Sequence, residues 1–80
     1  MNKEVVIYGT KACPFCHKAR DFMKAHNINF KDVLVDEDDK ARDMMIEKSG
    51  QMSVPVIMIG DEVIVGYDEE KFKKALGLEG

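Results

Sequence analysis

Hydrophobic residues in the first third of the chain predict a buried strand followed by an amphipathic helix. Residues 3–9 are rich in valine and isoleucine and end at a glycine, which is typical of a central strand. From Pro14 to about Asn27, apolar residues recur every three or four positions, as on the buried face of a helix. This face comprises Cys16, Ala19, Phe22, Met23 and the helix-end residue His26. The other faces carry Lys18, Arg20, Asp21 and Lys24.

The middle of the chain predicts a second strand and a second helix. Apolar and polar residues alternate from Asn29 to Val35, and this segment follows a helix of about one crossover length. We therefore expect it to pair parallel to the first strand in a right-handed β-α-β unit. Asp38 or Asp39 can cap the next helix, which should end at Ser49-Gly50. Its buried stripe is predicted to comprise Ala41, Met44, Met45 and the stem of Lys48.

The last third predicts an antiparallel hairpin and a third helix. Val54 and residues 56–59 form the third strand, Gly60-Asp61 the turn, and residues 63–65 the fourth strand. Because proline cannot donate to a sheet ladder, Pro55 belongs at the start of its strand, where a cis peptide would turn the chain. Residues 68–70 then begin a helix that buries Phe72, Ala75 and Leu76 and ends at Gly77. The predicted order is β-α-β-α-β-β-α.

Composition narrows the class of protein. Eighty residues make one small domain, which we expect to span residues 1–80. The chain has no apolar leader and no run of the ~18 apolar residues that a membrane span needs, so we expect a soluble, cytoplasmic protein without a membrane partner. A net charge of −3 with interleaved acids and bases argues against a nucleic-acid partner. The acidic residues 36–39 are expected to start the second helix rather than to bind a cation.

The only two cysteines lie in Cys13-Pro14-Phe15-Cys16, at the junction of the first strand and the first helix. Pro14 suits the first turn of a helix, which places Cys13 at the helix N-terminus and Cys16 one turn further in, on the same face. Unpaired backbone N–H groups and the helix dipole favour a thiolate at the first position. Cys13 is therefore the predicted nucleophile and Cys16 the predicted resolving thiol.

Other interpretations of the two cysteines are weaker. A structural zinc site needs four ligands, and the other candidates, His17 and His26, lie on the same helix. His17 points away from Cys16 and His26 is more than two turns from it, so no metal is expected. A structural disulfide between residues three apart would close a very small loop and stabilise little. Chance packing of two cysteines also stays open, but a Cys-x-x-Cys at a strand-helix turn favours redox chemistry.

Three motifs lie along the predicted β-α-β-α-β-β-α order: residues 13–16, Ser53-Val54-Pro55 and Gly66-Tyr67-Asp68. Together, the motifs and the element order resemble a glutaredoxin of the thioredoxin-fold superfamily. The resemblance covers essentially the whole chain. It implies an α/β thioredoxin-like fold, with a four-stranded mixed sheet flanked by three helices. It also implies that Pro55 is cis and faces the sulfur of Cys13.

The resemblance further implies a groove for glutathione as a co-substrate, with no tightly bound cofactor. Lys11 would contact the glycine carboxylate and Phe15 would line the groove. Val54 would pair through its backbone with the cysteine part of the tripeptide, and Asp68 with its helix N-terminus would receive the γ-glutamyl end. The implied groove residues are Lys11, Phe15, Ser53, Val54, Pro55, Gly66, Tyr67 and Asp68. Lys11 as a solvated lysine and Asp68 as a simple helix cap remain open.

The implied activity is reduction of protein disulfides and protein-glutathione mixed disulfides by a monomer that acts with glutathione. Val65-Gly66 stands where the family has two glycines, and bulky Tyr67 could crowd the γ-glutamyl subsite. These departures resemble the small redoxins that thioredoxin reductase drives and that supply electrons to ribonucleotide reductase. An iron-sulfur cluster carrier and a redox-gated binding module are the alternatives from other classes.

Overall fold

The computed structural model describes residues 4–77 and contains the seven predicted elements in the predicted order. The strands are β1 (Val5–Gly9), β2 (Lys31–Leu34), β3 (Val56–Ile59) and β4 (Glu62–Val65). The helices are α1 (Pro14–Ala25), α2 (Asp39–Ser49) and α3 (Glu69–Leu76). Residue 3, where the first strand was predicted to begin, lies outside the described residues.

The four strands form one mixed sheet in the order β2-β1-β3-β4. Strand β1 pairs parallel with β2 and antiparallel with β3, and β3 and β4 form the antiparallel hairpin. Helices α1 and α3 cover one face of the sheet around Phe22 and Phe72, while α2 covers the other face through Met45. The arrangement is the thioredoxin-like fold with three flanking helices that the resemblance implies.

Local signals fix most of the helix ends. Asp38 caps α2 by accepting hydrogen bonds from the N–H groups of Lys40 and Ala41, and Gly50 ends that helix in the left-handed region at φ 76°. Helix α1 ends at Ala25 with His26 as its C-cap, two residues before the predicted end. The strands are also shorter than predicted: β2 by two residues at its start, and β3 by Val54.

The predicted helix faces are wrong for four residues. Met44 is 50% exposed and Lys48 is exposed, because α2 turns so that Met45 is buried and Ala41 and Ile46 are partly buried against it. His26 is exposed at the end of α1, where its ring stacks on Phe22 with centroids 4.4 Å apart.

Arg20 is the fourth of these residues, since it was assigned to a solvent-facing side of α1. It is only 8% exposed, because hydrogen-bond acceptors from the loop after β1 and from β2 surround its guanidinium. These acceptors offset part of the cost of taking the charge out of water.

Candidate active site

Sheet register brings three chain segments to one end of the fold. Tyr8 near the end of β1 pairs with Val56 at the start of β3, and Val56 pairs with Val65 at the end of β4. The loop that follows β1, the segment before β3 and the segment after β4 therefore meet at this edge. These segments carry the Cys-x-x-Cys motif, the Val54-Pro55 pair and residues 66–68.

Two of these segments are joined directly. The peptide bond between Val54 and Pro55 is cis, as predicted, and Pro55 is buried. The N–H of Gly66 donates a 2.8 Å hydrogen bond to the carbonyl of Pro55. Gly66 has φ 86°, a left-handed conformation that residues with a side chain rarely adopt. The glycine thus allows the chain leaving β4 to turn and hold the proline segment.

The two cysteines occupy the predicted positions on α1. Cys13 is the N-cap in an extended conformation and Pro14 opens the helix. The N–H of Cys16 donates to the sulfur of Cys13 over 3.3 Å, so a backbone donor faces the atom that would carry charge during attack. Both thiols are free; Cys13 is partly exposed and Cys16 is completely buried.

Gly9 makes the burial of Cys16 possible. A Cβ atom at Gly9 would lie 2.6 Å from the Cys16 sulfur and 3.0 Å from its Cβ, which are distances shorter than van der Waals contact. Only glycine therefore lets α1 approach the end of β1 this closely. Gly9, which ends the predicted first strand, therefore also packs directly against the Cys16 thiol.

The environment of Cys16 keeps its thiol protonated. Burial, together with the hydrogen bond and the charge of Cys13, raises the pKa of Cys16 from 9.0 to about 11. A backbone hydrogen bond from Thr10 and the positive charge of Arg20 act in the opposite direction but only partly offset this rise. Cys16 is therefore a poor nucleophile while both thiols are reduced.

This difference predicts selective alkylation of the reduced protein. Near neutral pH, iodoacetamide should modify Cys13 alone, since the thiolate is the reactive form and Cys16 is both buried and protonated. Peptide mass mapping should find Cys16 modified only in denaturant or as the pH approaches 11. The same raised pKa stabilises the fold below pH 9.0, and that contribution is lost as the pH rises toward 11. Equal labelling of both cysteines in the folded protein near neutral pH would contradict the assignment.

Arg20 and His17 form a network that sequence reasoning missed. The guanidinium of Arg20 donates to the Asp32 carboxylate over 3.0 Å, to the Thr10 carbonyl over 3.2 Å, and to Nδ1 of His17 over 3.4 Å. Because a guanidinium only donates, Nδ1 of His17 accepts, and its Nε2–H is left to donate to the Lys11 carbonyl. The signal was in the spacing: Arg20 lies four residues after Cys16 and shares its helix face.

Lys11 and Phe15, two of the predicted groove residues, are both exposed beside Cys13. Lys11 is 72% exposed and its ammonium lies 3.1 Å from the Glu37 carboxylate in the loop before α2. Phe15 is 54% exposed, with the ammonium of Lys18 5.4 Å from its ring centroid. Ser53 is exposed and Val54 is half-buried before the start of β3.

Asp68 and Tyr67 lie at the start of α3. Asp68 is the N-cap and accepts a 3.2 Å hydrogen bond from the N–H of Lys71, which confirms the predicted cap. The ring of Tyr67 packs edge-on against Phe72, with centroids 5.6 Å apart. Partial burial, then the hydrogen bond and charge of Glu69, raise the pKa of Tyr67, so its hydroxyl stays neutral.

Within residues 4–77, no three side chains of His, Cys, Asp or Glu are grouped closely enough to share a metal ion. None of the helices in this part of the chain is long and apolar enough to cross a bilayer.

Two free thiols one helical turn apart can alternate between dithiol and disulfide and carry two electrons in doing so. On a thioredoxin-like fold this chemistry defines a thiol-disulfide oxidoreductase. The chain belongs to the glutaredoxin family, whose sequence profile matches residues 5–64.

Known proteins support this assignment along nearly the whole chain. A glutaredoxin-like protein of 8.6 kDa from the rubredoxin operon of Clostridium pasteurianum is 40% identical over 72 residues, which are 90% of this chain and 96% of the relative. Glutaredoxin 3 of Escherichia coli is 34% identical over 81% of this chain and 78% of its own length. The crystal structure of a glutaredoxin from Archaeoglobus fulgidus superposes with a TM-score of 0.85 at 32% identity, covering 98% of this chain and 88% of that one.

Proposed function

We propose that this protein reduces protein disulfides and protein-glutathione mixed disulfides, with Cys13 as nucleophile, Cys16 as resolving thiol and glutathione as electron donor. The observation that carries the assignment of roles is the contrast in burial. Cys13 is accessible at the N-terminus of α1, whereas Cys16 is buried with a raised pKa. Only the first sulfur can meet a disulfide on another protein.

The reaction follows from these positions. The Cys13 thiolate attacks one sulfur of the substrate disulfide, so a mixed disulfide forms and the other sulfur leaves as a thiolate that takes up a proton. With a protein disulfide, Cys16 loses its proton and attacks Cys13, which releases the fully reduced substrate and leaves a Cys13–Cys16 disulfide. With a glutathionylated protein, Cys13 takes up the glutathione. Two molecules of glutathione reduce the Cys13–Cys16 disulfide, and one molecule removes the glutathione from Cys13. Each reaction restores the reduced enzyme and releases glutathione disulfide.

The shape of the sheet edge supports a glutathione groove beside Cys13. Val54 precedes β3, so its backbone groups lie outside the ladder of that strand and suit an added extended peptide. Phe15 offers an exposed ring next to the thiol, and the Gly66 hydrogen bond places residues 66–68 alongside the proline.

The position of Tyr67 bears on the γ-glutamyl end of the tripeptide. Its ring packs against Phe72, so it is turned toward the core and crowds the subsite less than its size suggests. Asp68 uses one carboxylate oxygen to cap α3, and the other oxygen suits an ammonium group. Capping and binding are therefore compatible roles for this residue.

The ion pair of Lys11 with Glu37 favours a second candidate function, a small redoxin reduced by thioredoxin reductase that supplies ribonucleotide reductase. The glycine carboxylate of glutathione would meet the negative charge of Glu37 beside the lysine that is proposed to bind it. An electron donor that is itself a protein, such as thioredoxin reductase, does not need a subsite for the glycine carboxylate of glutathione. In either case, we propose a cytoplasmic site of action, because dithiols of this kind are kept reduced there.

The electron donor can be tested by following NADPH consumption with a glutathionylated protein substrate. Recycling by glutathione and glutathione reductase should sustain turnover, because the groove accepts the tripeptide. Turnover with thioredoxin reductase alone, and none with the glutathione system, would reject the first candidate and establish the second.

A Glu37→Gln variant tests the lysine subsite. Exposed ion pairs contribute about 0.2–1 kcal/mol, so freeing Lys11 should lower the KM for glutathione by about 1.4- to fivefold with little change in kcat. Asp36→Asn in the same loop is the matched control and should leave the KM unchanged. If both variants behave alike, Lys11 does not contact the glutathione carboxylate.

A further inference from the structure

Arg20 is the one charged side chain that is buried within residues 4–77. Its partners come from separate parts of the site: Asp32 on β2 and the Thr10 carbonyl in the loop that leads to Cys13. The Asp32 side chain is itself 39% exposed, so water can solvate it without the arginine. Burying a guanidinium is costly, and an ion pair at the sheet surface does not by itself require it.

The guanidinium also lies beside the second thiol. A Cβ atom added to Gly9 would lie 2.6 Å from the Cys16 sulfur and 3.5 Å from Nη2 of Arg20. The sulfur and the guanidinium nitrogen therefore both lie close to Gly9, at the end of β1. The sulfur is fully shielded from solvent, and a charge next to it acts through protein rather than through bulk water. Arg20 is thus the nearby cation available to a thiolate that forms on Cys16.

We propose that Arg20 is a positioning residue of the resolving step: it holds the Thr10 carbonyl in place and presents a positive charge to the Cys16 sulfur as that sulfur loses its proton. This inference rests on the proposed function, in which Cys16 resolves the mixed disulfide.

The step that Arg20 assists is a single exchange of sulfur bonds. The Cys16 thiol gives its proton to solvent, and the resulting thiolate attacks the Cys13 sulfur. The Cys13–Cys16 bond forms as the bond between Cys13 and the substrate breaks. The substrate leaves as a thiolate and takes up a proton, so the two thiols of the enzyme are oxidised and the substrate disulfide is reduced.

Arg20 becomes more important after the mixed disulfide has formed. In the reduced protein, burial raises the pKa of Cys16 most, the hydrogen bond and charge of Cys13 raise it further, and Arg20 opposes them. Once Cys13 is bonded to a substrate sulfur it carries no charge, so that part of the rise disappears while the guanidinium remains. The pKa of Cys16 is thereby lowered when there is a mixed disulfide to resolve, while its burial continues to raise it.

Single-turnover oxidation by dithiobis(nitrobenzoate) separates the two chemical steps. Attack by Cys13 releases the first coloured nitrothiobenzoate, and attack by Cys16 on the mixed disulfide releases the second. Stopped-flow absorbance therefore gives one rate for each cysteine in the same experiment, and its pH dependence reports the ionisation of each thiol.

In Arg20→Met, which keeps the stem and loses the charge, we expect the second release to slow about three- to tenfold. An opposite charge at this range shifts a pKa by about one to two units, and the higher nucleophilicity of a more basic thiolate offsets part of the lost thiolate fraction. The pH midpoint of the second release should move upward, while the first release changes less than about twofold. Arg20→Lys keeps a cation and should restore most of the second rate.

Asp32→Asn separates charge from structure, because it removes the same ion pair but leaves Arg20 charged. Its second release should be at least as fast as that of the parent protein. A second release in Arg20→Met that matches the parent, or one that is equally slow in Asp32→Asn, would overturn the inference. If the parent and Cys16→Ser give the same single release, the proposed function of Cys16 has failed instead.

Discussion

A Cys13→Ser variant should lose at least about 1,000-fold of its activity toward both protein disulfides and glutathionylated proteins. A hydroxyl at this position has no accessible anion near neutral pH, so the attacking atom is absent from every proposed reaction. Serine is a favoured helix N-cap, so α1 should still form and the loss should reflect chemistry rather than folding. The assay is NADPH-coupled turnover with each class of substrate.

Cys16→Ser is the matched control for that result. It should abolish reduction of protein disulfides but keep deglutathionylation within about threefold, since only the former needs an intramolecular attack on Cys13. Circular dichroism of both variants checks that the fold persists. Substantial turnover by the first variant, or equal loss of both activities in the second, would refute the assigned roles.

A Gly9→Ala variant should destabilise the protein by about 1–3 kcal/mol, the usual cost of forcing an extra group into a packed interior. The new methyl would lie 2.6 Å from the sulfur of Cys16 and 3.0 Å from its Cβ. Rotating the sulfur away would relieve only the first contact, so α1 must move outward from β1. Urea unfolding of the reduced protein measures the change in the free energy of unfolding.

The control for this prediction is the same substitution in a Cys16→Ala background. Without the sulfur, the closest contact disappears, and Gly9→Ala should cost at least about 1 kcal/mol less than it does in the parent protein. If the losses in the free energy of unfolding are additive in the double variant, the strain does not come from contact between residue 9 and the Cys16 sulfur.

Much of the architecture was predictable because its signals are local. Proline at the start of α1, aspartate before α2 and α3, and glycine after them each act within one helical turn. Apolar runs predicted β1, β3 and β4, alternation of apolar and polar residues predicted β2, and the crossover length predicted the parallel pairing of β1 with β2. These features do not depend on what the rest of the chain does.

The errors arose where two local choices were equally good. Met44 and Ile46 flank Met45, and either could join it in an apolar stripe, so only packing against the sheet decided that Ile46 is partly buried and Met44 is exposed. Arg20 looked like a surface cation because its acceptors, the Thr10 carbonyl and Asp32, come from segments distant in sequence. A charge is buried only when such partners assemble around it.

In the candidate site, too, local signals were predictable from the sequence and long-range contacts were not. The positions of Cys13 and Cys16 and the cis bond before Pro55 followed from short motifs. The ion pair of Lys11 with Glu37 and the inward packing of Tyr67 did not, since each joins residues whose contact depends on the complete fold. These last two features are also the ones that bear on the choice of electron donor.

The hydrogen bond from Gly66 to the Pro55 carbonyl has a consequence for how this edge of the sheet meets a partner. It joins the end of β4 to the segment before β3, so two of the loops proposed to grip a substrate are already one unit in the free protein. A partner that docks there orders little additional backbone, and the entropic cost of association is correspondingly small. This preorganisation suits the brief encounters with disulfide substrates that the proposed function requires.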